Sequence, residues 1–298
     1  MIDLHAIQTR VEALIRQAGK KIADTSASPI HKKAGHYNLV TDTDVAVEEF
    51  LKQELLALLP DSRFFAEEQE NEALTSAYTW IVDPVDGTCN FTRGRRASCV
   101  SIALMLDRKP ILGMIYNPYA DELFSAVRGE GACMNGQPIH VTENAFDNAL
   151  IAFGTSPYYA HLAAATAYCF HQFLTRSGDL RRVGSAALDC CDLACGRADV
   201  FFELLLSPWD FAAGALLIEE AGGVFTMPYE AETDFGKPAC ILAANPQCLA
   251  PAHEILIRAR DYIEKGNCSF TRKTPPDRLP VGAIRGCLFT DRSAAHAW

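Results

Sequence analysis

Apolar residues recur at helical spacing near the start of the chain. Ile7, Val11, Leu14, Ile15, Ala18 and Ile22 share one face of a predicted helix. A second helix is predicted over residues 44–59, with Val47, Phe50, Leu51, Leu55 and Leu58 on its apolar side. The polar stretch between them, residues 24–36, has no period and reads as a mobile loop. After residue 59 the period shortens. Residues 79–82, 99–106, 111–116 and 123–127 are runs of β-branched and aromatic residues bounded by Gly, Pro, Asn and Asp. They predict strands of a largely antiparallel sheet, with Asn135-Gly136 as a tight turn.

From residue 149 the pattern alternates. Strands are predicted at 150–153, 180–183 and 199–203, and helices at 158–176, 186–195 and 208–221. Strands near Val224 and Ile241 and a last helix over 246–265 complete a mixed α/β unit. Two sub-lobes, about 1–145 and 146–265, follow from the change of pattern. Residues 266–298 hold three prolines and no helical period, and read as a loosely ordered tail.

Composition narrows the class. The 298 residues are 49% hydrophobic and 21% charged, which excludes disorder and coiled coil. No run of eighteen apolar residues exists, and the start lacks a basic-then-apolar leader pattern, so a cytoplasmic protein with no membrane partner is expected. The 11 cysteines are odd in number and form no Cys-x-x-Cys pair, in keeping with a reducing compartment. Cys190, Cys191 and Cys195 cluster on a predicted helix, as small buried residues or, alternatively, as a metal cluster. The net charge of −10 argues against nucleic acid as a partner. That charge is uneven, with +3 on the tail and −13 on the rest. Any phosphate chemistry in the body therefore needs a positive field from outside the chain.

Four acidic sites stand out. In Asp83-Pro84-Val85-Asp86-Gly87-Thr88, Pro84 keeps Asp83 extended, and two carboxylates fall three residues apart with a carbonyl between them. Gly87 bares adjacent amides. A hard cation and an anion are both served by such a turn, although Asp-Pro and Asp-Gly alone also make ordinary turns. Ser207-Pro208-Trp209-Asp210 is equally a helix start, with Ser at the N-cap and Asp210 reaching back. Glu67-Glu68 follows the apolar pair Phe64-Phe65, at a strand end or in a surface loop. Asp42-Thr43-Asp44 opens the second helix, where an acid caps in any case.

Together, the stretches 83–91 and 209–223 resemble the two signature motifs of the inositol monophosphatase family. The likeness covers about residues 3–265 and takes in Glu67-Glu68, residues 41–44, and Gly184-Ser185-Ala186-Ala187 leading to Glu203. It implies a layered αβαβα sandwich of the inositol monophosphatase and fructose-1,6-bisphosphatase kind. It also implies a homodimeric, Mg²⁺-dependent phosphomonoesterase with two or three ions, Mn²⁺ as a substitute and Li⁺ as an inhibitor. Glu67, Asp83, the Val85 carbonyl, Asp86 and Asp210 are its implied metal ligands. Thr88, with Glu67 and support from Asp44, is the implied water-orienting group. The amides of Gly87 and Thr88 are implied to hold the phosphate, Glu203 with Gly184, Ser185, Ala186 and Thr155 to face the alcohol, and Asp86 and Asp210 to be further substrate contacts. Ala66, Cys89 and the Thr92-Arg93-Gly94 loop depart from the family pattern without removing a ligand.

The expected reaction is hydrolysis of a small polyol phosphate monoester, myo-inositol monophosphate first, by water that the metal activates. Histidinol phosphate, fructose-1,6-bisphosphate and 3′-phosphoadenosine phosphate are the alternative substrates. An aspartyl-phosphate mechanism through Asp42 fails on Ala46, which stands where Thr or Val is needed. No Gly-Lys-Ser/Thr of a P-loop is present. An inactive metal-binding regulator is the non-enzyme alternative, and the presence of Glu67 and Thr88 speaks against it.

Overall fold

The computed structural model describes residues 2–25, 28–32 and 39–269, with side chains through 263. In chain order, α1 (Leu4–Asp24) precedes a two-stranded antiparallel ribbon, β1 (Ile30–Lys32) and β2 (Leu39–Thr41), and then α2 (Asp42–Leu58). Next come β3 (Arg63–Ala66), β4 (Thr79–Asp86), the short α3 (Thr88–Thr92), β5 (Cys99–Leu106), β6 (Lys109–Asn117), β7 (Glu122–Val127), β8 (Ala132–Met134) and β9 (Gln137–Ile139). The rest is β10 (Leu150–Phe153), α4 (Ala163–Arg176), β11 (Asp179–Arg181), α5 (Ala186–Ala194), β12 (Val200–Leu206), α6 (Pro208–Glu220), β13 (Val224–Thr226), β14 (Ala239–Ala244) and α7 (Leu249–Ser269).

Two sheets organise these elements. A seven-stranded sheet runs β3-β4-β5-β6-β7-β8-β9 and is antiparallel except for the β3–β4 pair. A five-stranded sheet runs β11-β10-β12-β14-β13. Period-2 alternation gives each sheet two apolar faces. Trp80, Val82, Val100, Ile102, Leu112 and Met114 face α1 and α2, whose Val11, Ile15, Leu51 and Leu55 complete that layer. Ile81, Ala103 and Ile115 face the other way, onto α5 and α6, which also cover Ala152, Phe201, Ile241 and Ala243 of the small sheet. The outer face of the small sheet, with Ile151, Phe202 and Leu242, packs on α4 and α7. The layers are therefore α-β-α-β-α. The central helices are apolar nearly all round because each lies between two sheets. Close approach depends on missing side chains: a Cβ at Gly113 would stand 2.8 Å from the Ala213 carbonyl oxygen, and one at Gly214 2.5 Å from Cys190 Cβ.

Several boundaries differ from the sequence expectation. Residues 30–32, within the stretch read as a mobile loop, form β1; residues 26–27 and 33–36 of that stretch lie outside the described residues. The second helix begins at Asp42, so Asp44 lies in its first turn with Thr41 as N-cap. The helix predicted from 158 begins at Ala163, because Ser156 is tied down by Glu203 and Pro157–Tyr159 turn along a cavity. β11 ends at Arg181, two residues early, and β12 runs on to Leu206 with a register shift after Glu203. The last helix begins three residues later than predicted and extends to Ser269, four residues into the stretch read as a loosely ordered tail. Residues 270–298 of that tail lie outside the described residues. Asn135 and Gly136 both take positive φ (50° and 74°) and close the β8–β9 hairpin.

Candidate active site

The site forms where strand ends of the large sheet meet the N-termini of the two central helices. Glu67 follows the last residue of β3, and Asp83 lies near the end of its parallel neighbour β4, with Ala66 opposite Val82. β4 does not stop at Val82, where the spacing ended it, but continues to Asp86 across a bulge. Asp83 faces Ser101 and Asp86 faces Cys99, so β4 carries one extra residue. That residue reverses the in–out alternation. Val85 joins Trp80 and Val82 in the α1–α2 layer, leaving Asp83 and Asp86 on the α5–α6 side. Pro84, which has no N–H to give, is suited to a bulge.

Asp44, Asp83, Asp86 and Asp210 are each fixed by hydrogen bonds. Asp83 Oδ1 accepts from the Val85 amide at 2.9 Å. Asp86 Oδ2 accepts from Ser185 Oγ at 2.5 Å and the Ala187 amide at 2.7 Å, at the N-terminus of α5. Asp210 Oδ2 accepts from the Ser207 amide at 2.8 Å. Its capping and site readings hold together, since a carboxyl has two oxygens. One oxygen each of Asp83, Asp86 and Asp210 lies within 4.8 Å of the others. Asp44 divides its oxygens in the same way: Oδ2 takes the Thr41 amide at 3.0 Å, and Oδ1 takes the Thr88 hydroxyl at 3.0 Å. Thr88 Oγ1 also lies 3.1 Å from the Val85 carbonyl.

Electrostatics set this group apart. Burial, then Glu67, Asp86, Asp210 and Asp44, push the Asp83 carboxyl far above the usual range. Asp210 is raised by burial, then by Asp86 and Glu67. Asp86 is raised by burial against the pull of Ser185 and the α5 amides. Every charge acting on Asp83 in that list is acidic. An all-oxygen donor set of this kind, with the Val85 carbonyl beside it, fits a hard divalent cation.

The carboxylates open into a cavity of about 620 Å³. Of the residues named from the sequence, Glu67, Asp83, Val85, Asp86, Gly87, Thr88, Gly184, Ser185, Ala186, Glu203 and Asp210 line it. Asp44 does not; it stands behind Thr88. Thr155 is not among the lining residues either, and its neighbours Gly154 and Ser156 form that wall. Ser156, in an uncommon left-handed conformation (φ 41°), donates its amide to Glu203 Oε1 at 2.6 Å, with its hydroxyl at 3.2 Å. Burial raises Glu203 to about 7. A Cβ at Gly154 would lie 1.8 Å from Glu203 Oε2, so glycine leaves the room that Glu203 uses.

Sequence reasoning passed over several residues. Asn90, inside the first signature, donates Nδ2 to the carbonyls of Ala97 (2.7 Å), Val183 (3.1 Å) and Gly184 (3.1 Å), tying two cavity loops together. Its place in the motif was a usable signal. Asn71 grips Ala66 by both amide and carbonyl, closing the loop that carries Glu67. Arg182, Asp189 and Tyr158 line the cavity with no sequence pattern to mark them. Tyr158 is pushed up to about 12, by burial first and then by Glu67 and Asp210. Of the departures, Ala66 is fully buried in the α1–α2 layer and Cys89 lines the cavity, whereas Arg93 is not among the lining residues. Cys190, Cys191 and Cys195 are free thiols on or just after α5, and Cys190 packs against Gly214.

A layered α-β-α-β-α fold with an acidic cluster at the helix N-termini defines a class of phosphoric monoester hydrolase. The chain matches the inositol monophosphatase family over residues 3–263, and it belongs to that family. It is 40% identical over 236 residues to inositol monophosphatase 3 of Solanum lycopersicum, covering 76% of this chain and 88% of that one. It is 34% identical over 250 residues to the Nus factor SuhB of Salmonella typhimurium, covering 82% and 93%. Among solved structures, an IMPase/NADP phosphatase complexed with Mg²⁺ and phosphate superposes with a TM-score of 0.76 at 26% identity, covering 85% of this chain and 95% of that one. Among the described residues, no helix is long and apolar enough to cross a membrane.

Proposed function

We propose that this protein hydrolyses a small polyol phosphate monoester, myo-inositol monophosphate first, with Mg²⁺ as cofactor. The observation that carries this is the cluster of three carboxylates, Asp83 and Asp86 buried and Asp210 partly so, with one oxygen of each within 4.8 Å of the others, at one end of a cavity that also holds Glu203. The relative solved with Mg²⁺ and phosphate supports it. Glu67, Asp83, the Val85 carbonyl, Asp86 and Asp210 are the ligands. Bound there, Mg²⁺ neutralises the incoming phosphate and makes water acidic enough to attack at neutral pH.

The chain's own groups do the rest. The Thr88 proton is directed at Asp44 and the Val85 carbonyl, which leaves the hydroxyl's lone pairs to accept from a water in the cavity. Asp44, held by the capping box, sets that orientation from behind. The bared amides of Gly87 and Thr88 and the N-termini of α5 and α6 favour the negative phosphate. Glu203 and the 184–186 backbone meet the alcohol. We place the catalytic unit in residues 1–265, as a cytoplasmic homodimer. The free thiols fit a reducing compartment, and light scattering of the full chain reads the oligomer.

Phosphate release is to be measured over a panel of inositol, sugar, histidinol, bisphosphate and 3′-nucleotide monoesters, with and without Mg²⁺ and Li⁺. The expected result is Mg²⁺-dependent, Li⁺-inhibited release, fastest from inositol monophosphate. No release from any member with Mg²⁺ overturns the enzyme reading. A faster rate on another member moves the substrate while leaving the chemistry.

A further inference from the structure

The buried carboxyls around the cavity each hold a partner, with one exception. Asp44, Asp83, Asp86, Glu203 and Asp210 all accept hydrogen bonds. Asp189, in the first turn of α5, lines the same cavity and is only 1% exposed, yet its Oδ1 has no partner. A buried acceptor left alone is rare in a native fold and calls for a use. Its surroundings suggest one. Asp189 lies close enough to Glu203 to feel its charge, and Arg182, which lines the same cavity, exerts its positive field on both. Burial, then Glu203, Asp192 and Asp86, push Asp189 well above the usual carboxyl range, and its bare Oδ1 is free to accept a hydrogen bond. A ring polyol presents neighbouring hydroxyls that each donate and accept. A wall of two carboxyls and a guanidinium matches that pattern, and an aryl or alkyl group offers it nothing.

We propose that Asp189 is a specificity-determining residue that takes a hydroxyl of the substrate's alcohol moiety beside the one taken by Glu203, so that the site selects polyol phosphates with adjacent hydroxyls. This rests on the phosphomonoesterase reading above. A site with a buried group waiting for a hydroxyl rejects substrates that lack it far more strongly than an apolar pocket rejects an extra one.

The test compares wild type, Asp189→Asn and Asp189→Leu by kcat/KM on inositol 1-phosphate and 4-nitrophenyl phosphate, with Tm measured with and without Mg²⁺. In D189L the polyol-to-aryl ratio should fall by about tenfold or more, chiefly through KM for the polyol. D189N keeps the Oδ1 acceptor and should stay within about threefold of wild type. A ratio unchanged in D189L overturns the proposal, as does an equal fall in D189N. If D189L does not fold, D189A is read by the same criteria. A wild type that cleaves the aryl phosphate without preferring polyols sinks both this proposal and the polyol reading. If wild type cleaves neither, only the function fails outright, and Asp189 is judged on binding. In that case free myo-inositol with Mg²⁺ and phosphate should raise the Tm of wild type but not of D189L, and no rise in wild type overturns the proposal.

Discussion

The two ends of the cavity are built by different means. At the acidic end, capping boxes set Asp44 and Asp210 within a few residues, and Asp83 and Asp86 sit three residues apart on one proline-containing bulge, which β5 and the start of α5 hold in place. At the alcohol end, Gly154, Ser156, Arg182, Asp189 and Glu203 arrive from four separate segments. They are held by contacts that exist only in the folded chain, such as Ser156 to Glu203 and Asn90 to the 183–184 carbonyls. The acidic end is rigid and self-repelling, suited to any phosphate once a cation is bound. The other end is assembled by packing, and the substrate choice proposed for this protein rests there.

The largest expected effect breaks the acidic end. Asp86→Asn should lower kcat by about a thousandfold or more on every substrate alike, because it removes a charge needed at the developing phosphate. Its Tm without metal should not fall, since a repelling charge has gone from beside Asp83 and Asp210. A rate loss confined to polyol substrates would contradict the division between the two ends.

Stripping divalent ions probes the same end by mass action. Mg²⁺ at about a hundred times its Kd should stabilise wild type by about 2.7 kcal/mol, read as a rise in Tm. Asp86→Asn should lose most of that rise, while Glu203→Gln should keep it.

The alcohol end has its own pH signature in the metal-free protein. Glu203 titrates at about 7 in the fold, against an ordinary value of 4.5. A raised carboxyl binds more protons folded than unfolded, so its contribution to stability is complete below about 4.5 and is lost as pH rises to about 7. Urea melts of wild type and Glu203→Gln from pH 4.5 to 7.5 should diverge over that window by at most about 3 kcal/mol. Parallel curves would show that Glu203 does not titrate there.

The smallest effect is steric. Gly154→Ala places a methyl where Glu203 Oε2 now lies, and should destabilise by about 1–2 kcal/mol. It should also lower the polyol-to-aryl ratio of kcat/KM, with the Mg²⁺-induced rise in Tm intact. A loss of the Mg²⁺ response would mean that the two ends are coupled through β12.

How much of this was legible follows from distance along the chain. The helical faces of α1 and α2 and the strands 99–106 and 150–153 could be read because periodicity is local. The end of β4 was misplaced by four residues because pairing with β5 carries the strand through Pro84, and no local rule foresees that partner. The start of α4 was missed for a like reason: Tyr158 and Tyr159 line the cavity next to the Ser156–Glu203 contact, and residues 160–162 form a short 3-10 turn before the helix begins. Thr155 was named where Ser156 does the bonding, a one-residue error that only the path of the backbone decides.

By itself the sequence determined the element types of the body, the acidic donor set and the family they define. Those depend on propensities, caps and spacings that act over a few residues. Only the tertiary structure decided that Asp83 and Asp86 face the same side, that Asp44 works through Thr88, and that Asp189 is left without a partner. Those outcomes depend on sheet register and on helices packed between two sheets, which bring together residues separated by tens of positions in the chain.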